Sequence, residues 1–146
     1  MFKKSITPKL SDINGARHVG YNVICGWLEV GFVDVLLMFG ESPGTEPHVA
    51  MVNLTTDFLE EIFFGKNVEI TTRVAKLGNS SIVLHHEMHQ DKKLCISAIT
   101  TFVCFDYNKK KSLAIPPKVS KKIRKHLIYI KCRLSRLIIN LSGNVI

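Results

Sequence analysis

The chain has no acidic residue after Asp106, no cysteine pair at metal-ligand spacing, no low-complexity stretch and no internal repeat. Each absence removes a class of answer. Cys25, Cys95, Cys104 and Cys132 lack the CxxC spacing of zinc ribbons and redox dithiols, so they read as small hydrophobes of a reducing, cytoplasmic compartment. Lys3 and Lys4 have no apolar run behind them, and no secretory signal is expected. The longest apolar run, residues 19–39, contains Asn22, Glu29 and Asp34. An acidic residue at mid-bilayer costs roughly 2.5–3.5 kcal/mol, so this run is expected to be a core helix and not a membrane span. A composition of 46% hydrophobic and 22% charged residues over 146 positions excludes a disordered chain and suits one domain with its own core.

What is present begins with charge. The net charge is +8, and Lys118, Lys121, Lys122, Arg124, Lys125, Lys131, Arg133 and Arg136 crowd the end of the chain. Ile115-Pro116-Pro117 is the one composition break, so residues 1–117 are expected to form the domain and residues 118–146 a basic extension, helical in part. A solvated tail is the plainer expectation. Contact with a membrane, a partner or the phosphates of a ligand is the alternative, and nucleic acid is not expected as a partner.

Two periodicities divide the rest. Residues 2–10 read as a first strand, and residues 19–39 as a helix apolar nearly all round, closed by Gly40 and a loop containing Pro43 and Pro47. Within the helix the polar exceptions His18, Asn22, Gly26 and Glu29 recur at helical spacing and are expected along one stripe. The period then becomes two. Residues 48–58, 67–76, 80–90 and 93–107 are rich in Val, Ile, Thr and Phe and are parted by Gly65-Lys66, Gly78-Asn79 and Asp91-Lys92 turns. The fold class is α+β: an antiparallel sheet wrapped around one long helix.

The segment Asp12-Ile13-Asn14-Gly15-Ala16-Arg17-His18-Val19-Gly20-Tyr21-Asn22 feeds that helix. A polar loop ending at a helix N-terminus offers free N–H groups and a positive dipole end to an anion or a polarised carbonyl. Asp12-Ile13-Asn14, His18-Val19 and Trp27-Leu28-Glu29, followed by Asp57-Phe58-Leu59, Phe64-Gly65-Lys66-Asn67-Val68-Glu69-Ile70 and Leu77-Gly78-Asn79-Ser80-Ser81-Ile82, resemble the hotdog-fold acyl-CoA thioesterases of the 4-hydroxybenzoyl-CoA type. The resemblance covers residues 6–117. It implies a dimer or tetramer with sites between subunits, a thioester carbonyl polarised by the backbone N–H of Tyr21, a carboxylate as nucleophile or base, and coenzyme A as part of the substrate, with no separate cofactor and no metal. Two positions depart from it: Asn14 stands where better-known members have a second aspartate, and Arg17 where they usually have glycine.

An amide has no basic lone pair, so Asn14 can orient water or hold a carbonyl but cannot be the base. Glu29 is the expected base, with Asn14 and His18 positioning water or thioester, and Asp12, Val19, Gly20, Tyr21, Asn22 and Asp57 contacting substrate. N–H groups around Val19 to Tyr21 are expected to hold the oxyanion. Blander readings stand beside these: Glu29 as a structural carboxylate, His18 as helix-end packing, Asn14 as a turn residue. His85, Glu87 and His89 alternate onto one strand face, which suits a solvated or interface face better than a metal site. Cys25 lacks a neighbouring base and reads as a buried thiol. A non-catalytic acyl-thioester binding module is the rival to hydrolysis. An enoyl-thioester hydratase is less favoured, because Asp12 and His18 lie one residue too far apart for its loop pattern.

Overall fold

The computed structural model describes residues 1–40 and 49–127. Strand β1 (Phe2–Ile6) leads through a 3-10 turn (Leu10–Asp12) and the polar loop to helix α1 (Tyr21–Leu36), which tightens into a 3-10 turn (Leu37–Phe39). Strands β2 (Val49–Phe58), β3 (Val68–Leu77), β4 (Ser81–Gln90) and β5 (Lys93–Asp106) follow, then a short β6 (Lys111–Ser112) and helix α2 (Pro117–Arg124). β1 is shorter than the expected residues 2–10 because Pro8 brings no N–H to a ladder and the chain then turns at Leu10. The 3-10 turn after α1 ends where Gly40 adopts φ 82°, a left-handed cap that glycine reaches at no steric cost. The expected loop at 41–47 lies outside the described residues, as does 128–146.

The sheet runs β1-β3-β4-β5-β2, every neighbouring pair antiparallel, with β6 attached to the end of β5. Alternation decides its inner face. On β4, Ile82, Leu84, His86, Met88 and Gln90 are buried while the residues between them are half-buried. Against this face α1 lays Ile24, Trp27, Leu28, Gly31, Phe32 and Val35, the 3-4 spacing of a single helical stripe. Burial of each such side chain contributes on the order of 1.5–3 kcal/mol. The helix is thus one-sided within the chain: Asn22, Gly26, Glu29 and Val30 stay exposed, where an all-round apolar pattern led one to expect enclosure.

The core has two ends. Val19, Ile24, Trp27, Ile62, Val68, Met88 and Ile96 pack around the start of α1. Phe32, Val35, Val74, Leu84, Phe102, Ile115, Val119 and Ile123 pack around its finish, with the Phe32 and Phe102 rings stacked at 3.7 Å. Val119 and Ile123 belong to α2, so the first turns of the expected extension are part of the core.

Gly31 marks the tightest approach of helix to sheet. A Cβ there would collide with Thr72 Oγ1 and reach His86 Nδ1 at 3.0 Å. Beneath it His86, fully buried, is held at both ring nitrogens, Nδ1 by Thr72 Oγ1 at 2.9 Å and Nε2 by Thr100 Oγ1 at 2.8 Å. Two hydroxyls satisfy a neutral imidazole, one as donor and one as acceptor. Burial, with the nearby charge of His85 adding to it, lowers the His86 pKa to about 4.

Candidate active site

The polar loop is a self-bonded turn. Asn14 N–H donates to the His18 carbonyl (2.9 Å), Arg17 N–H to the Asn14 carbonyl (3.0 Å), and Ala16 N–H to Asn14 Oδ1 (2.9 Å). The last bond is an Asx turn, so the Asn14 side chain keeps only its NH2 for anything else. Arg17 sits at φ 69°, in the left-handed region. Glycine adopts this conformation at no steric cost, whereas a side chain is strained in it.

His18 lies two residues before the Gly20 N-cap, so the expected stripe begins at Asn22 and His18 belongs to the loop. Its Nδ1 is 3.1 Å from the Val19 carbonyl oxygen and 3.4 Å from Asn14 Nδ2. The nearer carbonyl accepts an Nδ1–H, which leaves Nε2 as the basic nitrogen.

The backbone donors are fewer than expected. Val19 N–H is spent on the Ile62 carbonyl (2.8 Å) and Gly20 N–H on the Asp12 carbonyl (3.0 Å). Val23 and Ile24 N–H already bond the Gly20 carbonyl, which leaves the first-turn amides of Tyr21 and Asn22 without an acceptor among the described residues. Asn22 folds its Oδ1 over Gly20, to within 2.6 Å of where a Cβ would stand.

Above this helix end is a cavity of about 230 Å³, lined by Asn14, His18, Val19, Tyr21, Ile24, Phe58, Leu59, Glu60, Glu61, Ile62 and Ile96. It brings together four of the expected residues, Asn14, His18, Val19 and Tyr21, on a largely apolar wall. Its size is below the roughly 300–1,000 Å³ of a complete small-molecule site. Within one chain it is too small to enclose a whole ligand of that kind.

Its carboxylates are not those the sequence pointed to. Glu29 opens into a second cavity of about 160 Å³ with Cys25, Gly26, Leu28, Met51, Leu54, Thr100 and Phe102, because two helical turns carry it away from the N-terminus of α1. Between the cavities Thr56 is paired with Ala98 on the inner face, its hydroxyl buried with no partner among the described residues. Asp12 is occupied structurally, its Oδ2 accepting Lys9 N–H at 2.7 Å. Asp57 pairs across the ladder with Ser97, whose Oγ is 3.2 Å from His85 Nε2. It therefore lies on the outer face of the sheet, away from both cavities. The residues missed are Glu60 and Glu61, which fall in the gap between Asp57-Phe58-Leu59 and Phe64-Gly65.

A third missed residue positions that loop. Gln90, buried at the end of β4, accepts Phe63 N–H at 2.9 Å and donates to the carbonyls of Phe63 (2.9 Å) and Lys66 (3.0 Å).

The outer face carries His85, Glu87 and His89 as expected, and no group of three metal-binding side chains occurs among the described residues. Glu87 bonds Arg73 at 2.6 Å. Burial alone would raise its pKa, but the Arg73 hydrogen bond and charge more than offset this and hold the carboxyl below its ordinary range. Burial lowers His85 and raises the Cys95 thiol, so Cys95 stays protonated and unreactive. Cys25 is half-buried in the Glu29 cavity.

Comparison with known proteins places this geometry. Residues 8–123 match the model of the thioesterase-like superfamily. No curated protein matches the sequence. Among solved structures, a predicted thioesterase from Bacillus stearothermophilus superposes with a TM-score of 0.81 at 23% identity, over 87% of this chain and 96% of that one. A thioesterase from Thermus thermophilus, complexed with coenzyme A and zinc, gives 0.72 at 19% identity, over 84% and 96%. A 1,4-dihydroxy-2-naphthoyl-CoA thioesterase from Synechocystis gives 0.74 at 18% identity, over 84% and 95%. The curled antiparallel sheet with its single long helix is the hotdog fold.

Proposed function

The chain belongs to the thioesterase-like superfamily, and we propose that it hydrolyses an acyl-CoA thioester to a carboxylic acid and coenzyme A at the cavity over the start of α1. The observation that carries this reading is the convergence of Tyr21, whose first-turn amide is unspent, with Asn14, His18 and the carboxylates Glu60 and Glu61 on one apolar cavity. The thioester oxygen accepts from Tyr21 N–H, aided by that of Asn22 and the positive end of the helix. The acyl end rests on Ile24, Phe58, Ile62 and Ile96. Water held by Asn14 Nδ2 and His18 gives a proton to a carboxylate as its oxygen bonds the carbonyl carbon. The C–S bond then breaks, and the thiolate recovers that proton. We assign the base to the Glu60-Glu61 pair in place of Glu29, because only the pair shares the cavity with Asn14 and His18 within one chain.

The same reading includes a homodimer. β2 is a sheet edge with Met51 and Val52 exposed, and Phe58 stands open at the cavity. A second copy covering this strip enlarges a cavity too small for a whole ligand, and would also place the Glu29 cavity at the junction.

The test is free-thiol release from short, long and aromatic acyl-CoAs by wild type beside Glu60→Gln, Glu61→Gln, Glu29→Gln and Asn14→Asp. Loss of about 10²–10⁴ in rate in a loop variant, with Glu29→Gln active, is the expected result. Loss in Glu29→Gln alone would move the base to the helix. Tight acyl-CoA binding without release on any substrate would replace hydrolysis by a binding role.

A further inference from the structure

Residues 1–106 contain 9 basic and 12 acidic residues, a net charge of −3, whereas residues 107–146 contain 11 basic residues and no acidic one. The structure gives this asymmetry a place. α2 turns Val119 and Ile123 into the core and leaves Lys118, Lys121, Lys122, Arg124 and Lys125 exposed. None of these five cations forms an ion pair among the described residues, although Lys122 Nζ reaches the Met38 carbonyl at 3.5 Å. Lys109 and Lys110 lie in the turn between β5 and β6 and Lys111 opens β6, anchored to the same end by the bond from Leu113 N–H to the Cys104 carbonyl (2.8 Å). Around them Leu37, Tyr107 and Leu113 are exposed at 50%, 53% and 38%. This is the finishing end of α1. About 24 Å of helix, 1.5 Å for each residue, separates it from the catalytic cavity, so α2 is badly placed to hold coenzyme A phosphates at that cavity within one chain.

We propose that this end of the molecule is a docking surface for an anionic phospholipid bilayer. Charge complementarity selects an anionic partner, and each lysine or arginine held near such a surface strengthens attachment several-fold at physiological salt. The sequence beyond the described residues favours a bilayer over nucleic acid. Residues 128–146 interleave Lys131, Arg133 and Arg136 with Ile128, Ile130, Leu134, Leu137 and Ile138 and contain no acidic residue, so cations for lipid headgroups come with aliphatic side chains that acyl chains accept and a phosphodiester backbone does not. Attachment through this end leaves the cavity facing the aqueous side. The inference is independent of the reaction assigned to the cavity.

The test is co-sedimentation of the full chain with phosphatidylcholine vesicles and with vesicles in which about a third of the lipid is phosphatidylglycerol, at about 0.1 M salt. Binding to the anionic vesicles alone, weakened at least about tenfold in Lys118→Gln/Lys121→Gln/Lys122→Gln/Lys125→Gln and retained when the same four positions carry arginine, is expected. All four side chains are exposed, and an unchanged thermal midpoint checks that the glutamine variant is folded. Equal binding to neutral vesicles, no vesicle binding, undiminished binding by the glutamine variant, or binding of an RNA oligonucleotide in place of vesicles would each overturn the proposal.

Discussion

The Val19 amide donates to the Ile62 carbonyl across 2.8 Å, and this bond joins the loop that carries Asn14 and His18 to the loop that carries Glu60 and Glu61. Ile62 is only 1% exposed, so the joint is dry and its geometry is fixed by the core beneath it. The two walls of the cavity are therefore set relative to each other by the backbone.

Gln90 clamps the outer half of that joint. Gln90→Leu should leave Phe63 N–H and two carbonyls without their side-chain partner, at a cost of about 1–3 kcal/mol. The checks are a lower urea midpoint and a fall in kcat for thiol release, since Glu60 and Glu61 lose their setting while Asn14 and His18 keep theirs.

Tyr21 is the first helical residue, and Gly20 before it is extended at ψ 146°. Proline is accepted at that position and after such a residue, so Tyr21→Pro should delete the N–H assigned to the oxyanion and preserve the helix. A drop of about 10²–10³ in kcat is expected, with Tyr21→Ala retaining most of the rate and circular dichroism unchanged in both.

Arg17 holds a left-handed conformation that costs a side-chain-bearing residue roughly 1–2 kcal/mol, partly offset in any exchange by the extra freedom glycine has when unfolded. Arg17→Gly should raise stability by up to about 1 kcal/mol, read as a higher urea midpoint. Activity should be maintained, because Arg17 does not line the cavity.

His86 ties stability to acidity. It is neutral in the fold, its pKa lowered from 6.5 to about 4. The unfolded state thus binds the extra proton first, and stability is full above the unfolded pKa of about 6.5 and falls as the pH drops toward the folded one. The loss amounts to about 3 kcal/mol at 1.36 kcal/mol for each unit. Urea titrations between about pH 7.5 and 4.5 should show this decline, with a smaller slope in His86→Leu despite its lower stability.

Much of the fold was legible because the periods are clean. Ile24, Trp27, Leu28, Phe32 and Val35 announce a helical stripe, and the alternation along β4 announces a strand with one buried face. Asn14, His18, Val19 and Tyr21 could be placed together because they are neighbours in the chain and a helix start gathers them. Glu60 and Glu61 could not, since only the Val19–Ile62 bond brings that loop to the cavity. Helical phase put Asn22, Gly26 and Glu29 on one line, as observed, but phase does not say what lies opposite. The outer-face histidines drew notice by their alternation with Glu87, while His86 between them, the one with two buried partners, passed as part of a strand. β6 is two residues long, Lys111–Ser112, too short to show a period, and the anchoring of α2 depends on a distant partner, Met38, which no local pattern contains.

The one-sided packing of α1 also has a consequence in time. Strands β2 to β5, which cover most of its apolar stripe, follow it in the chain, and the last of them ends at Asp106, 67 residues after Phe39. At about 5–20 residues per second of synthesis, a helix apolar enough to pass for a membrane span waits roughly 3–13 s for its cover. During that interval the nascent chain presents Trp27, Phe32 and Val35 to whatever surrounds the ribosome, and the yield of folded protein depends on how they are shielded.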